Sequence, residues 1–381
     1  MIKGCILPWI HMHGNIQGKY KVCCFSEGST DKTTYNLGDS SESPISVWKS
    51  EEYQNVRETF LDGGVPPQCE SICYSKEASS VSPRMEVNNR WKDYDYLQNV
   101  PLQMPKYIDI RFSNICNFKC RMCGPEISTR WAQELGRKEV LIDNWSDNEV
   151  LWNDLPKILP HVVEIYFAGG EPLMAKGHLK LLNWLIDNSF TKLRLTYNTN
   201  LSILPDTKDF ISMWDKFDEV TIWPSCDGYK EVSEYIRTGF DWDTFNKGCE
   251  TYGSRIKTIS SVVNVYSLFS MPKLVMWGKT HNLYIHGTTQ INPNFQSIQI
   301  LSKDKKVLAR SMYERFLSTF KGVVDPETAD SMMDWIKFME AEDLSYLSKA
   351  FKAYNMNLDE KRNSDFSKTF PELRDWYEQI S

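Results

Sequence analysis

From Tyr107 onward, short β-prone apolar runs alternate with segments of helical periodicity. The strand-like runs are residues 107–112, 163–167, 193–197, 220–223, 259–265 and 283–285. Between them the spacing predicts helices near 126–138, 146–158, 175–189, 206–216, 229–236, 242–253 and 271–281. Such alternation implies an α/β fold, a parallel sheet with right-handed crossovers. Six strand–helix units suit an open, partial (β/α)6 barrel, whose functional residues gather at the C-terminal ends of the strands. Upstream the pattern differs. Residues 20–22 predict a short strand, and 46–60 predict one helix with Trp48, Tyr53, Val56 and Phe60 near one face. Residues 63–67, Gly-Gly-Val-Pro-Pro, predict a turn. This piece has few apolar runs, so it is expected to bury little core by itself and to gain from cross-linking by metal. From about residue 302 the chain reads as helical, with Val307, Met312, Phe316, Leu317 and Phe320 on one stripe and Leu344, Leu347, Phe351 and Tyr354 on another. The expected organisation is a Cys-rich domain over 1–80, a polar linker over 81–105 containing Pro83, Pro101 and Pro105, the barrel over 106–300, and a helical C-terminal region over 301–381.

Length and composition leave that picture standing. At roughly 150 residues per domain, 381 residues suggest two or three units. The hydrophobic fraction of 41% and charged fraction of 25% are ordinary for a globular chain. A net charge of -6 argues against a protein built to grip nucleic-acid backbones. The run Lys303, Asp304, Lys305, Lys306 reads as a solvated helix start. Pro8, His11 and His13 interrupt the N-terminal segment before it reaches signal-peptide length. No run approaches the ~18 apolar residues of a membrane span, so the expected location is the cytoplasm.

Cysteine placement changes the picture most. Ten cysteines occupy positions 5, 23, 24, 69, 73, 116, 120, 123, 226 and 249, eight of them in the first third of the chain. In a reducing compartment, such close spacing points to metal or iron–sulfur ligation. Cys226 and Cys249 stand apart and read as buried cysteines of the core.

Directly after the first strand, Cys116, Cys120 and Cys123 have the spacing C-x3-C-x2-C. Three thiolates in one loop can take three corners of an iron–sulfur cube, leaving the fourth iron open to a small molecule. Zinc normally takes four ligands, and no nearby fourth cysteine or histidine offers itself. The spacing resembles the signature of the radical S-adenosylmethionine superfamily. The resemblance implies that the amino and carboxylate groups of S-adenosylmethionine chelate the open iron of a [4Fe-4S] cluster. Reductive cleavage of the cofactor then yields a 5′-deoxyadenosyl radical that takes hydrogen from substrate, while the protein supplies position and excludes water. The residue before the last cysteine is often aromatic in the superfamily and lies near the adenine; here it is Met122, an apolar thioether able to fill the same space.

Motifs at successive strand ends extend the resemblance over about residues 107–290. Gly169-Gly170-Glu171-Pro172 resembles the family's GGEP element, which implies contact with the cofactor's ammonium group. Asn200, in Tyr197-Asn198-Thr199-Asn200, resembles its T-N pair. Ser225-Cys226-Asp227-Gly228 resembles its S-x-D-G element, implying that Ser225 or Asp227 meets the ribose or the methionine end. Arg237 stands where related enzymes place an arginine on the cofactor's carboxylate, a task that suits a planar fork. Asn264 is a further candidate for the adenosyl site.

Cys5, Gly18 and Cys23 follow the spacing C-x12-G-x4-C, and Cys69-x3-Cys73 comes next. This resembles the first half of the SPASM and twitch auxiliary-cluster domains, set before the barrel rather than after it. The resemblance implies that Cys5, Cys23, Cys69 and Cys73 hold a second [4Fe-4S] cluster; a zinc knot on the same thiolates is the alternative. Cys24 adjoins Cys23, and adjacent strand side chains point oppositely, so one of the two is expected to be the ligand, with the glycine spacing favouring Cys23. With four cysteines at hand, His11 and His13 read as solvated or core histidines.

Taken together, these features lead to the expectation of a radical S-adenosylmethionine enzyme of oxidoreductase or peptide-modifying type, acting on a peptide or protein and fed by an external flavodoxin- or ferredoxin-like donor. A small-molecule substrate, carbohydrate or nucleotide, is the second expectation. A non-enzymatic binding protein stabilised by zinc or a cluster is the third. The sequence assigns no catalytic residue beyond the ligands.

Overall fold

The computed structural model describes residues 4–27, 36–75, 77, 81–94, 102–138, 145–203 and 207–380. Residues 1–3, 28–35, 76 and 78–80 of the Cys-rich segment, 95–101 of the expected linker, and residue 206 of a predicted helix lie outside that set. Among the described residues the strands are, in chain order, β1 (His11–Gly14), β2 (Lys19–Lys21), β3 (Gly38–Asp39), β4 (Tyr107–Ile110), β5 (Lys119–Cys120), β6 (Glu164–Phe167), β7 (Arg194–Thr199), β8 (Glu219–Pro224), β9 (Arg237–Thr238), β10 (Thr258–Val263) and β11 (Tyr284–Thr289). The six predicted strands correspond to β4, β6, β7, β8, β10 and β11. Two compact units result: residues 1–117, 125–199 and 203–221 form the first, and 118–124, 200–202 and 222–381 the second.

The first unit is built on a sheet of order β3-β2-β1-β4-β6-β7-β8. Strands β4, β6 and β7 pair in parallel, as the alternating pattern requires. β1, from the Cys-rich segment, also pairs in parallel with β4, from His11↔Tyr107 to Gly14↔Ile110. β2 and β3 then turn back as antiparallel strands. The register puts His13, Asp109, Tyr166 and Thr196 in one row across four strands. Ile108, Ile110, Ile165, Phe167 and Leu195 alternate with that row and are buried on the opposite face. One face of this parallel sheet is therefore polar.

The Cys-rich segment buries more than its sequence suggests. Leu7, Met12, Tyr20, Val22, Val47, Trp48, Tyr53, Val56 and Phe60 form one apolar cluster with Cys5 and Cys69. The Arg57 guanidinium lies 4.5 Å from the Trp48 ring centre and 4.6 Å from that of Tyr53. It donates to Pro8 O and Trp48 O, at 2.8 and 2.9 Å. The core is possible because β1 borrows a neighbour from the larger sheet. The single helix predicted over 46–60 is two, Pro44–Trp48 and Glu51–Leu61. Ser50 breaks it: its side chain caps the second helix by accepting from Tyr53 N at 3.3 Å. Within the stretch read as linker, Ser82 caps a helix over Pro83–Arg90.

His11 and His178 are held neutral in the interior. Burial pushes each imidazole down to about 3 from the ordinary 6.5. Each takes up a proton on unfolding, so stability present above pH 6.5 falls as the pH drops toward 3, by at most about 1.4 kcal/mol per pH unit for each histidine. The melting temperature is expected to be lower at pH 5 than at pH 7; equal values would show that neither imidazole is buried neutral.

In the second unit, the end of β8 meets the next strand through parallel bridges at Ile222↔Ile256 and Ser225↔Ser260. β10 pairs in parallel with β11. β5 and β9 form a small antiparallel pair. Three long helices follow, Lys303–Thr319, Pro326–Ala341 and Ser348–Arg362. The first buries Lys305, Ala309 and Tyr313, while Val307 is 58% exposed, so the apolar stripe read from the sequence is not the buried face. Lys305 is likewise not solvated: its ammonium donates to Asp375 at 2.6 Å and to Glu372 O at 2.9 Å, with its stem inside. Among the described residues no helix is long and apolar enough to cross a membrane.

Candidate functional site

The cysteine loop divides between the units, with Cys116 in the first and Cys120 and Cys123 in the second. In the first unit the loop rests against the GGEP element. Gly170 N donates to Ser113 O at 3.1 Å and Glu171 N to Ile115 O at 2.7 Å. A Cβ on Gly170 would lie 2.2 Å from Ile115 O and 2.7 Å from the Asn114 carbonyl carbon. That glycine is thus required by the backbone of Asn114 and Ile115, which leads into Cys116. Gly170→Ala is expected to cost on the order of 3 kcal/mol, because a backbone must move; an unchanged denaturation midpoint would refute the contact. Glu171 is buried, accepts from Thr199 Oγ1 at 2.7 Å and caps the turn at Leu173 N, and Pro172 begins that turn. Cys116 N donates to Thr129 Oγ1 at 3.2 Å.

In the second unit, β5 and β9 set Cys120 opposite Arg237. Cys123 N donates to Cys120 O at 3.0 Å. A hydrogen bond from Cys123 and then the Arg237 charge favour the Cys120 thiolate, overcoming burial and lowering its pKa. Arg237 forms a two-point ion pair with Asp227, Nε to Oδ2 at 2.7 Å and Nη2 to Oδ1 at 2.9 Å. Burial opposes the arginine's charge, but Asp227 and Cys120 hold it well above the ordinary value. Two residues each expected to meet the cofactor are therefore partners of each other. Asp227 also accepts from Val262 N at 2.8 Å.

Met122 is half-buried and Ser225 is bridged to Ser260. Asn200 is buried and accepts from Ser202 N and Oγ, at 3.0 and 2.6 Å. The Asn264 side-chain oxygen accepts from Tyr266 N and Ser267 N, and its amide donates to Gln290 at 2.8 Å. It shapes a turn. Cys226 and Cys249 are buried, as read.

Arg121, between the last two cysteines, gave no signal in the sequence. Its side chain is fully buried. It donates to Asp359 at 2.5 Å, Asn355 at 2.9 Å, Ser364 at 2.8 Å and Tyr235 O at 3.1 Å. Its own carbonyl accepts from Gln296 and Tyr354, at 2.9 and 2.6 Å. The helix Ser348–Arg362 thereby clamps the loop, and Arg362 adds a bond to Lys119 O at 2.9 Å.

The polar face of the first unit's sheet was also missed, although Ile108-Asp109-Ile110-Arg111 alternates with period two. His13 meets Asp109 at 3.0 Å, and Arg111 grips the same carboxylate through Nε and Nη2 at 3.1 and 3.0 Å. Burial would raise the Asp109 pKa, but Arg111 and His13 hold it well below the usual range. His11 stacks on Tyr107 with centroids 4.4 Å apart. Both histidines are core residues, not solvated ones.

The N-terminal thiols form a second group. Cys5, Cys69 and Cys73 are buried, and Cys23 is half-buried. Cys69 and Cys73 are one helical turn apart on the segment Pro67–Tyr74, hence on one side of it. Gly18 closes the β1–β2 turn at φ +68°, where a Cβ would lie 2.5 Å from Ser40 Oγ; the turn leads the chain to Cys23. Burial pushes Cys5 up to about 12 and holds Cys23 and Cys69 high, and each of the three also feels neighbouring cysteines of the four. Cys24 acts on Cys23, and also on Arg111 and Tyr166. The donor set fits a multinuclear iron–sulfur group: four thiols share one apolar place, and metal charge would supply what deprotonation there lacks. Among the described residues no three histidines, cysteines or carboxylates converge tightly enough for a single ion; a cubane spreads its thiolates over different irons.

Residues 5–74 match the family model for SPASM, an iron–sulfur cluster-binding domain. The segment that joins its first strand to the main sheet is thus similar to an iron–sulfur cluster-binding domain. A comparison with curated proteins gives no match. Among solved structures, the chain is similar to Streptococcus suis SuiB bound to S-adenosylmethionine, at 14% identity and a TM-score of 0.39, over 71% of this chain and 53% of that one. It is similar to SuiB bound to the precursor peptide SuiA, at 13% identity and a TM-score of 0.38, over 74% of this chain and 59% of that one. It therefore spans between half and three fifths of those structures' length.

Proposed function

We propose that this SPASM-domain protein is a radical S-adenosylmethionine enzyme that modifies a peptide or protein. The observation that carries the reading is the backbone of residues 113–115, which leads straight into the C-x3-C-x2-C segment, packed against Gly170 of the GGEP element. Cys116, Cys120 and Cys123 would hold a [4Fe-4S] cluster with one open iron, and S-adenosylmethionine bound there would supply the hydrogen-abstracting radical. Arg237 and Asp227 orient each other beside the cysteines; Glu171 is oriented by Thr199. Cys5, Cys23, Cys69 and Cys73 would hold the auxiliary cluster, which would support electron transfer or substrate binding. The peptide class is supported by the SPASM segment, and SuiB, with which the chain shares a likeness, binds a precursor peptide. A low-potential protein donor would supply electrons, and a reducing compartment such as the cytoplasm would keep the thiolates free.

Anaerobic reconstitution with strong reductant and S-adenosylmethionine is expected to yield 5′-deoxyadenosine. No 5′-deoxyadenosine would favour a cluster-stabilised binding protein. With deuterated candidate peptides, label should enter 5′-deoxyadenosine; label from a carbohydrate or nucleotide instead would move the substrate to small molecules. Cys69→Ala is expected to remove about half the iron of a two-cluster chain while leaving uncoupled cleavage. Unchanged iron would refute the auxiliary ligand set.

A further inference from the structure

An ion pair next to the auxiliary cysteines has no part in the reading above. Arg84, on the helix Pro83–Arg90, donates through Nε to Glu77 Oε1 at 2.8 Å and through Nη2 to Oε2 at 2.5 Å. The two side chains are 12% and 19% exposed, so solvent screens them weakly. Arg84 Nη1 donates to Gly4 O at 2.9 Å, the peptide preceding Cys5. Its guanidinium lies 4.5 Å from the ring centre of Tyr74, the residue after Cys73. Asn88, one turn along the same helix, donates to Gly4 O at 2.8 Å and accepts from Ile6 N at 2.9 Å. The helix therefore grips the backbone on both sides of Cys5 and sets a fixed cation beside it. Ser82 Oγ donates to Glu77 Oε1 at 2.6 Å and holds the anion in place.

We propose that Arg84 and Glu77 set the reduction potential of the auxiliary cluster, the arginine raising it and the glutamate lowering it. The inference rests on Cys5, Cys23, Cys69 and Cys73 being that cluster's ligands. One-electron reduction adds a negative charge to the cluster, with the electron taken from an external reductant and no bond broken. A fixed cation nearby favours the reduced form and a fixed anion the oxidised form, and poorly screened charges act most strongly. Neither residue carries a ligand atom, so both are positioning and tuning residues.

The test is a mediated potentiometric titration, followed by electron paramagnetic resonance, of the reconstituted full chain. A Cys116→Ala, Cys120→Ala, Cys123→Ala background isolates the auxiliary signal; in the otherwise unsubstituted chain, the signal that S-adenosylmethionine leaves unmoved serves as well. Arg84→Gln should lower the midpoint and Glu77→Gln should raise it. Each should change the reduced-to-oxidised ratio at fixed potential about tenfold, about 59 mV for one electron. Arg84→Lys should return the midpoint toward the native value, which a purely structural role would not require. If Arg84→Gln fails to hold the cluster, Glu77→Gln and Arg84→Lys decide. An auxiliary signal whose midpoint stays put, or moves the same way in both charge-removing variants, overturns this inference and leaves the ligand set intact. No auxiliary signal in the native chain overturns the ligand set, and the inference with it.

Discussion

Cys116→Ala is expected to abolish reductive cleavage of S-adenosylmethionine, taking 5′-deoxyadenosine formation to the level of a reaction without protein. The thiolate is one of three proposed to hold the cube, and its removal opens a second iron and destabilises the group. Iron should fall by about half in a chain with two clusters, because the N-terminal thiols are a separate set. The fold should survive: Cys116 is half-buried, and its backbone N–H and C=O both bond Thr129 Oγ1, at 3.2 Å each, which the substitution leaves in place. The decisive comparison is product formation against circular dichroism on the same sample. Full cleavage in a folded, iron-depleted variant would remove the cysteine from the mechanism.

Arg121→Met is expected to lower stability by about 3 kcal/mol or more, the usual consequence of leaving a buried charge without its partner. The lost groups are specific. Asp359 would keep Tyr235 Oη at 2.8 Å and Ser364 Oγ at 2.8 Å but lose the Arg121 guanidinium. The Tyr235 ring would lose a guanidinium centred 3.7 Å away. Because the backbone of Arg121 lies between Cys120 and Cys123, the variant should also load iron poorly at that loop. Asp359→Asn should cost less, since an amide oxygen still accepts from the arginine. A denaturation midpoint and iron content equal to those of the native chain would show that the helix Ser348–Arg362 does not clamp the loop.

The legible parts of this molecule are those whose information is local. Cys116, Cys120 and Cys123 fall within eight residues, and Gly169-Gly170-Glu171-Pro172 follows a strand recognisable from its β-prone run. All six strands of the α/β pattern were legible for the same reason. What escaped is non-local or masked by composition. Arg121 and Asp359 are 238 positions apart, and no spacing rule links them. β1 reads His-Met-His-Gly, with nothing to announce a strand, and becomes one because β4 offers an edge to pair with. The polar sheet face was written plainly in the alternation at 108–111, but a parallel sheet is ordinarily expected to be apolar on both faces. The helix bearing Arg84 was signalled by Ser82-Pro83, a cap followed by a first-turn proline; the prolines of that stretch read as linker instead.

The pairing of β1 with β4 bears on how such a protein can be dissected. A chain beginning at Pro105 would leave the main-chain donors and acceptors of β4 bare along one side, an invitation to sticky association with a second molecule. The N-terminal segment is thus not a detachable cap: excising it would remove a plank from the wall, and the remainder should precipitate rather than persist as a smaller folded protein.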